Sequence, residues 1–358
     1  MRKIIVTILT GFLCCLTALS QQKISVIARP AIIYVEKAEN KQVLNFDFLV
    51  SNPSGDSLEL SKLTVNVIGS NGKIIHSRFL DNNGTSPGIM LIPNRKFNGI
   101  SSQLIFNPFT DFSLTIPLDK LEFEFIFSDK NDVETKVETV VNVKKYEQKQ
   151  TLSFPLKGRL LVYDAHDFYA HHRRFDYEFA PIKGLGIRSN FMRYAYDFVL
   201  LDDMNQRFAN DGKKDEDYFG FGKPVYAVGK GKVIYASNDH KDDKTFDIKK
   251  IATSPLELYG NCIAIQHPDH SVSIYGHLKQ NSIKVKIDDE VSAQQEIAVI
   301  GVSGSSFFPH LHFEMRTSIQ NDAEGIPCYF SNVYLSEGTT ENKLMSGLVE
   351  TGNIVIAK

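Results

Sequence analysis

The sequence predicts an all-β protein of two consecutive domains, and three observations predict it. Short runs that alternate apolar and polar residues recur along the chain. Clusters of turn-forming residues separate many of them. The length, 358 residues, exceeds the roughly 100–200 of a single domain, and a polar stretch at residues 144–150, KKYEQKQ, divides it.

Composition supports packed domains and narrows the partners. With 42% hydrophobic and 23% charged residues the chain has material for cores and does not read as disordered. Forty basic residues against 42 acidic ones leave a formal charge of -2, so no strong field draws nucleic acid or an anionic membrane. No nucleic-acid partner is expected.

The first 20 residues read as a secretory signal peptide. Arg2 and Lys3 precede an apolar run at residues 4–19, and the small residues Ala18 and Ser20 offer a cleavage site. The run is short for a membrane span, and no later run is long enough for one. The mature chain is therefore expected outside the cytoplasmic membrane, in the periplasm or cell envelope. A lipid anchor on Cys14 or Cys15 is the alternative, although the residues before them, Leu13 and Cys14, are not the small ones such a site uses. Cleavage leaves Cys262 and Cys328, which an oxidising compartment could join in one disulfide.

Residues 21–148 carry the first set of strands. ISVIA, IIYVE, LNFDFLVS, LTVNVIG, SLTIPL, LEFEFIF and VETVVNV alternate, with NPSGD, GSNGK, DNNG and SDKND among the turns between them. Strands at this spacing predict an immunoglobulin-like β-sandwich, without the Cys and Trp hallmarks of antibody domains. It holds no catalytic cluster and reads as a spacer or binding module, open to a cell-envelope protein partner.

Residues 149–335 carry the second set, including VYAVGKGKVIYAS, GNCIAIQHP, SVSIYGHL, IAVIGVSG and HLHFEMR. Two charged insertions, residues 204–218 and 238–254, have the composition of exposed loops that shape access to a site. Residues 336–358 read as a tail or an extra strand. In FFPHLHFEMR, an extended backbone puts His310, His312 and Glu314 on one face and Leu311, Phe313 and Met315 on the other. The apolar trio can enter a core, leaving two imidazoles together at an accessible surface. Such a pair alone fits an ordinary exposed strand equally well. Asp197, inside the apolar run YAYDFVLL, is harder to dismiss, because a buried carboxylate needs a partner or a metal.

Taken in order, AYDF at 195–198, GKPVYAVGKGKV at 222–233, YGNCIAIQHP at 259–268, IYGHL at 274–278 and GVSGSSFFPHLHFE at 301–314 resemble the M23 (LytM or lysostaphin-type) family of zinc metallopeptidases, which cleave peptides of bacterial peptidoglycan. The resemblance implies an antiparallel β-sheet peptidase domain with its site in a groove. It makes Asp197 and His312 zinc ligands, and His277 and His310 the pair that handles protons. The family's remaining ligand is a histidine four residues before the aspartate, a position held here by Arg193. A guanidinium has no lone pair to give, and on a strand Arg193 would share a face with Asp197. Either Arg193 turns away or the metal is missing.

A replacement ligand is sought in DAHDFYAHHRRFD, residues 164–176, where His172 is favoured over His166 and His171. HHRR read otherwise is a basic surface strip, or a brace to Asp176 and Glu178. His76, His166, His240, His267 and His270 are expected at the surface. Two functions follow. The chain is an exported zinc endopeptidase acting on peptidoglycan cross-links, or an M23 fold without metal that binds peptidoglycan or regulates a cell-wall hydrolase.

Overall fold

The computed structural model describes residues 23–358. The expected signal segment, with Cys14 and Cys15, lies outside them.

Two facing sheets form the amino-terminal unit. Strands β1 (Ser25–Arg29), β3 (Asp47–Asn52) and β6 (Ser101–Phe106) make the smaller sheet, in the order β1-β3-β6. The larger runs β5-β4-β7-β8-β2, where β2 is Ile33–Lys37, β4 Leu58–Ile68, β5 Ile74–Asp81, β7 Lys120–Asp129 and β8 Glu134–Lys145. Two short strands, Lys41–Leu44 and Asp111–Ser113, extend it beyond β2. The two sheets pack face to face around one core, as in a β-sandwich. Period-two patterning explains it: in β7 Leu121, Phe123, Phe125 and Phe127 are buried while Glu122 and Glu124 face outward. Phe48 crosses between the sheets to meet Phe123 and Phe125 edge-on at 4.8 and 4.9 Å.

The second unit is built on one antiparallel sheet. Its central strands are β9 (Gly158–Asp164), β10 (Tyr196–Leu200), β11 (Gly231–Ser237), β12 (Cys262–Gln266), β13 (Val272–Gly276), β14 (Leu311–Arg316), β15 (Val333–Glu337) and β16 (Ile354–Ala357). They lie in the order β11-β12-β13-β14-β10-β9-β16-β15, with a short strand at each edge. Residues 336–358 are thus no tail: β16 sits inside the sheet between β9 and β15, with Val355 and Ala357 buried.

Both faces of this sheet are covered. Leu311, Phe313 and Met315 enter one core with Tyr196, Phe198, Ile263, Ile265 and Tyr275, as the alternation predicts. The opposite face, expected to be accessible, is roofed by Ile187, Phe191, Ile251, Leu256 and Tyr259, which pack with Cys262, Ala264 and Ile274. All six residues of β14 are consequently buried. Leu104 of the sandwich joins this second cluster, so the two units share a core.

Three expectations are corrected by this packing. Cys262 and Cys328 are both buried free thiols, without a disulfide. His267 is buried because its ring bridges Lys230 O and Ser273 Oγ, both at 2.9 Å. His166 is buried between the units, 3.4 Å from the carboxylate of Glu36 and edge-on to Tyr194 and Tyr196. No helix among the described residues is long and apolar enough to cross a membrane.

Because β9 is held on one side by β16, a chain ending at residue 337 is expected to unfold at lower urea concentration and to lose amide protection in β9. Leu160→Ala, at a fully buried position in β9, is expected to cost about 2–5 kcal/mol in the same denaturation measurement.

Candidate metal centre

The register of three strands sets the centre. β10 and β13 flank β14, so His312 lies opposite Asp197 on one side and Gly276 on the other. Directly opposed residues bring their side chains together, and Asp197 Oδ1 is 3.1 Å from His312 Nδ1. His310, two residues earlier, places Nε2 3.4 Å from the same oxygen. Gly276 makes room for the ring that covers His312: a Cβ there would lie 2.9 Å from Tyr259 Cβ, and the Tyr259 ring stacks on His312 at 4.4 Å. His277 follows with a left-handed φ of 57° that ends the strand and sets its ring 4.8 Å from that of His310.

His172 arrives from a different segment. Asp164, the last residue of β9, accepts the backbone N–H groups of His171 and His172, each at 3.3 Å. Its Oδ2 also lies 2.8 Å from His172 Nδ1. Asn190 Nδ2 donates to His172 O at 3.0 Å and to Arg173 O at 3.1 Å, fixing the turn from the other side. Held in this way, His172 directs Nε2 to within 3.7 Å of Asp197 Oδ1.

One donor atom from each of His172, Asp197 and His312 therefore falls within 4.8 Å of the others. The set passes a test for zinc. Ligand atoms at 2.0–2.1 Å around a tetrahedral ion stand about 3.3 Å apart, and the two separations from Asp197 are 3.1 and 3.7 Å. Three N or O ligands leave a fourth position open. The other nitrogen of each imidazole also lies within ion-pair distance of a carboxylate, the type of group that commonly backs a metal-bound histidine. For His172 that carboxylate is Asp164, and for His312 it is Glu314, with Oε1 at 3.5 Å from Nε2. Glu314 is held in turn by Arg316 at 2.5 Å, which also donates to Tyr259 Oη at 2.6 Å.

Electrostatics follow the same geometry. Burial disfavours the Asp197 carboxylate, yet the imidazoles of His172, His310 and His312 hold its pKa well below the usual range. Burial pushes His172 down despite Asp197 and Asp164, and pushes His277 far down with help from His310 and His312. His312 behaves oppositely. Against burial, Asp197 and Glu314 raise it to about 9 in the metal-free protein. Against the same penalty, Arg316 and His312 bring Glu314 down to about 2.

Arg193 turns away. It lies not on a strand but in the turn before β10, closed by Arg193 N–H to Asn190 O at 3.2 Å and Ala195 N–H to Met192 O at 2.8 Å. Its guanidinium pairs with Asp47 Oδ2 of the sandwich at 2.5 Å, fully buried. Arg173 pairs with the other oxygen of Asp47, so this arginine of HHRR is a brace, but to the sandwich and not to Asp176 or Glu178. Arg174 and His171 remain exposed.

The five expected residues, His172, Asp197, His277, His310 and His312, all line one cavity of about 510 Å³. The insertion at 238–254 contributes Phe246, Ile248 and Ile251 to its wall, as a rim loop would. Sequence reading missed Asp164, Tyr259 and Asp47. For Asp164 a signal existed in the acid at a strand end before a histidine-rich turn. Nothing local marks the other two.

A buried N–O–N set of candidate metal donors thus lies beside a cavity on one face of an antiparallel sheet. The chain belongs to peptidase family M23, whose model matches residues 216–324. That span includes His277, His310 and His312 but begins after His172 and Asp197. Lipoprotein NlpD of Yersinia enterocolitica is 36% identical over 95 residues, which are 26% of this chain and 78% of that one. Murein hydrolase activator NlpD of Escherichia coli K12 is 35% identical over 106 residues, and outer membrane antigenic lipoprotein B of Histophilus somni is 37% identical over 109. The matches to these two take in 29% and 30% of this chain, and only 23% and 27% of the relatives' own lengths. Among solved structures, the catalytic domain of lysostaphin from Staphylococcus simulans is 26% identical, with 37% of this chain and 74% of that one covered and a TM-score of 0.24.

A ligand must give up its proton to a metal, so His312, protonated below about 9 when metal-free, predicts a linked release. Zinc uptake near neutral pH is expected to expel about one proton, with affinity rising up to about tenfold per pH unit until the His312 pKa is passed. Calorimetric titration in buffers of different ionisation enthalpy measures it.

Proposed function

We propose that the protein is a zinc-dependent endopeptidase of the bacterial cell envelope that hydrolyses peptide cross-links of peptidoglycan. The observation that carries this reading is the convergence of His172 Nε2, Asp197 Oδ1 and His312 Nδ1, with His277 and His310 beside them in one cavity. His172, Asp197 and His312 would hold the ion. When bound, zinc supplies Lewis acidity to water and to the scissile carbonyl.

The chain's own groups supply the rest. His277 Nδ1 faces Ser303 O at 2.8 Å and His310 Nδ1 faces Phe308 O at 2.8 Å. A carbonyl only accepts, so both Nδ1 atoms carry hydrogen, and a neutral imidazole held in this way keeps its lone pair on Nε2. His277 stays neutral by its depressed pKa. A neutral imidazole can take the proton of an attacking water and return one to the leaving amine, worth about 10²–10⁴ in rate. The apolar wall of Phe191, Met192, Phe246 and Ile251 limits water around the reacting amide. Family membership and the names of the envelope relatives support the substrate.

A second reading has its own support. One relative is named a murein hydrolase activator, which favours a role in controlling another cell-wall hydrolase. The two separate experimentally. On the endopeptidase reading, purified mature protein holds one zinc, His172→Ala and His312→Ala each lose it, and the parent releases soluble fragments from purified cell wall. His310→Ala and His277→Ala are expected to keep the zinc and to lose about 10²–10⁴ of the activity. A parent that holds no zinc and releases no fragments alone, but accelerates release by an added hydrolase, selects the activator.

A further inference from the structure

We infer that the sandwich is a positioning element for the metal ligands, with Asp47 as its central residue. The inference rests on the zinc reading above and assigns the sandwich a part in it that no spacer would have.

The sandwich presents a built surface to the second unit. Alternation along β3 sends Phe48 and Val50 into the sandwich core and leaves Asp47 and Leu49 on the outer face. Their cross-strand partners on β6 are Phe106 and Leu104. On a free sandwich this face would meet water, but Asp47 and Leu104 are both 0% exposed. What covers them is the segment at residues 172–195, through Tyr177, Ile187, Phe191 and the two arginines.

The contacts fall on the two segments that carry ligands. Arg173, next to His172, pairs with Asp47 Oδ1, donates from Nη2 to Phe46 O at 2.6 Å and lies over the Phe106 ring. Arg193, four residues before Asp197, pairs with Asp47 Oδ2. Asn45 Nδ2 donates to Arg193 O at 2.8 Å, and Tyr194 Oη to Asn45 O at 3.4 Å. Three consecutive sandwich residues, 45–47, thus tie the turn bearing His172 to the turn leading into Asp197. The tie matters because residues 165–195 contain only turns and one four-residue helix, Ala180–Lys183, with no strand pairing of their own. A segment without a ladder takes its geometry from what it docks against, and a ligand held loosely by its support binds metal poorly. The position that carries the usual histidine of the family has become an anchor, and its neighbour in space supplies the donor.

The test compares the full-length parent with Asp47→Asn, which keeps the shape and removes the charge. Zinc affinity, read by competition with a chromophoric chelator, is expected to weaken about 10–100-fold. In the metal-free protein, amide exchange at residues 171–173 is expected to quicken while β12 stays protected. Leu104→Ala, a change on the same outer face that leaves the charges in place, is expected to act in the same direction and serves if Asp47→Asn does not fold. Phe125→Leu, which weakens the sandwich core without touching that face, is expected to leave zinc affinity within about threefold of the parent. Folded Asp47→Asn and Leu104→Ala proteins that bind zinc like the parent, with unchanged exchange at residues 171–173, overturn the inference. A parent that binds no zinc sinks the metal reading alone, and the exchange result then decides this one by itself.

Discussion

The antiparallel register that sets Asp197 opposite His312 is the constraint on which the second unit depends. Side chains alternate with period two, so a slip of one residue between β10 and β14 would send one of the pair into the aromatic core on the other face. With the register fixed, His310 follows on the same face, and the opposite neighbour of His312 has to be small. Gly276 meets that demand and admits Tyr259. The placement of Asp197 and His312, the ring that covers His312 and the carboxylate behind it are therefore consequences of one pairing. Glu314 lies two residues beyond His312 for the same reason.

A second constraint is the cost of buried charge. Arg173 and Arg193 are both fully buried, and one carboxylate serves them. Several of their nitrogens, Arg173 Nε and Arg193 Nε and Nη2, find no hydrogen-bond partner among the described residues. Such a cluster adds little stability over well-packed apolar residues, but removing its anion strands two cations out of water. It also commits the geometry, since neither arginine has another carboxylate within ion-pair distance among the described residues. Arg193 could not have stayed near the metal. At about 4 Å a unit charge facing a dication costs about 8 kcal/mol at an effective dielectric of 20.

How much of this was legible in the sequence depended on whether the determinant was local. Asp197, His277, His310 and His312 stand in short motifs whose spacing gives their faces, and the structure brings them together. His172 was favoured by residue type and as the histidine beside Arg173 and Arg174, and the turn after β9 delivers it. The partner of Arg193 lies 146 residues away in another unit, and no local pattern points to Asp47. His166 and His267 were read as exposed because they sit in polar stretches, whereas each is buried by groups that reach it through tertiary packing. The accessible face predicted for β14 failed similarly. Alternation identifies two faces, but only the rest of the chain determines whether one of them is roofed.

The balance of charge around the triad bears on which of the two functions the fold serves. Asp164, Asp197 and Glu314 are three carboxylates within reach of His172 and His312, and all five groups are at most 7% exposed. Burying these carboxylates carries a desolvation cost that their cationic or hydrogen-bonding neighbours must offset. A dication changes the account, because it favours every negative charge around it and asks for neutral, oriented imidazoles. The raised pKa of His312 in the metal-free protein reports the same preference for positive charge: Asp197 and Glu314 favour a cation between them. An ion at this point would replace the proton of His312 with a larger charge.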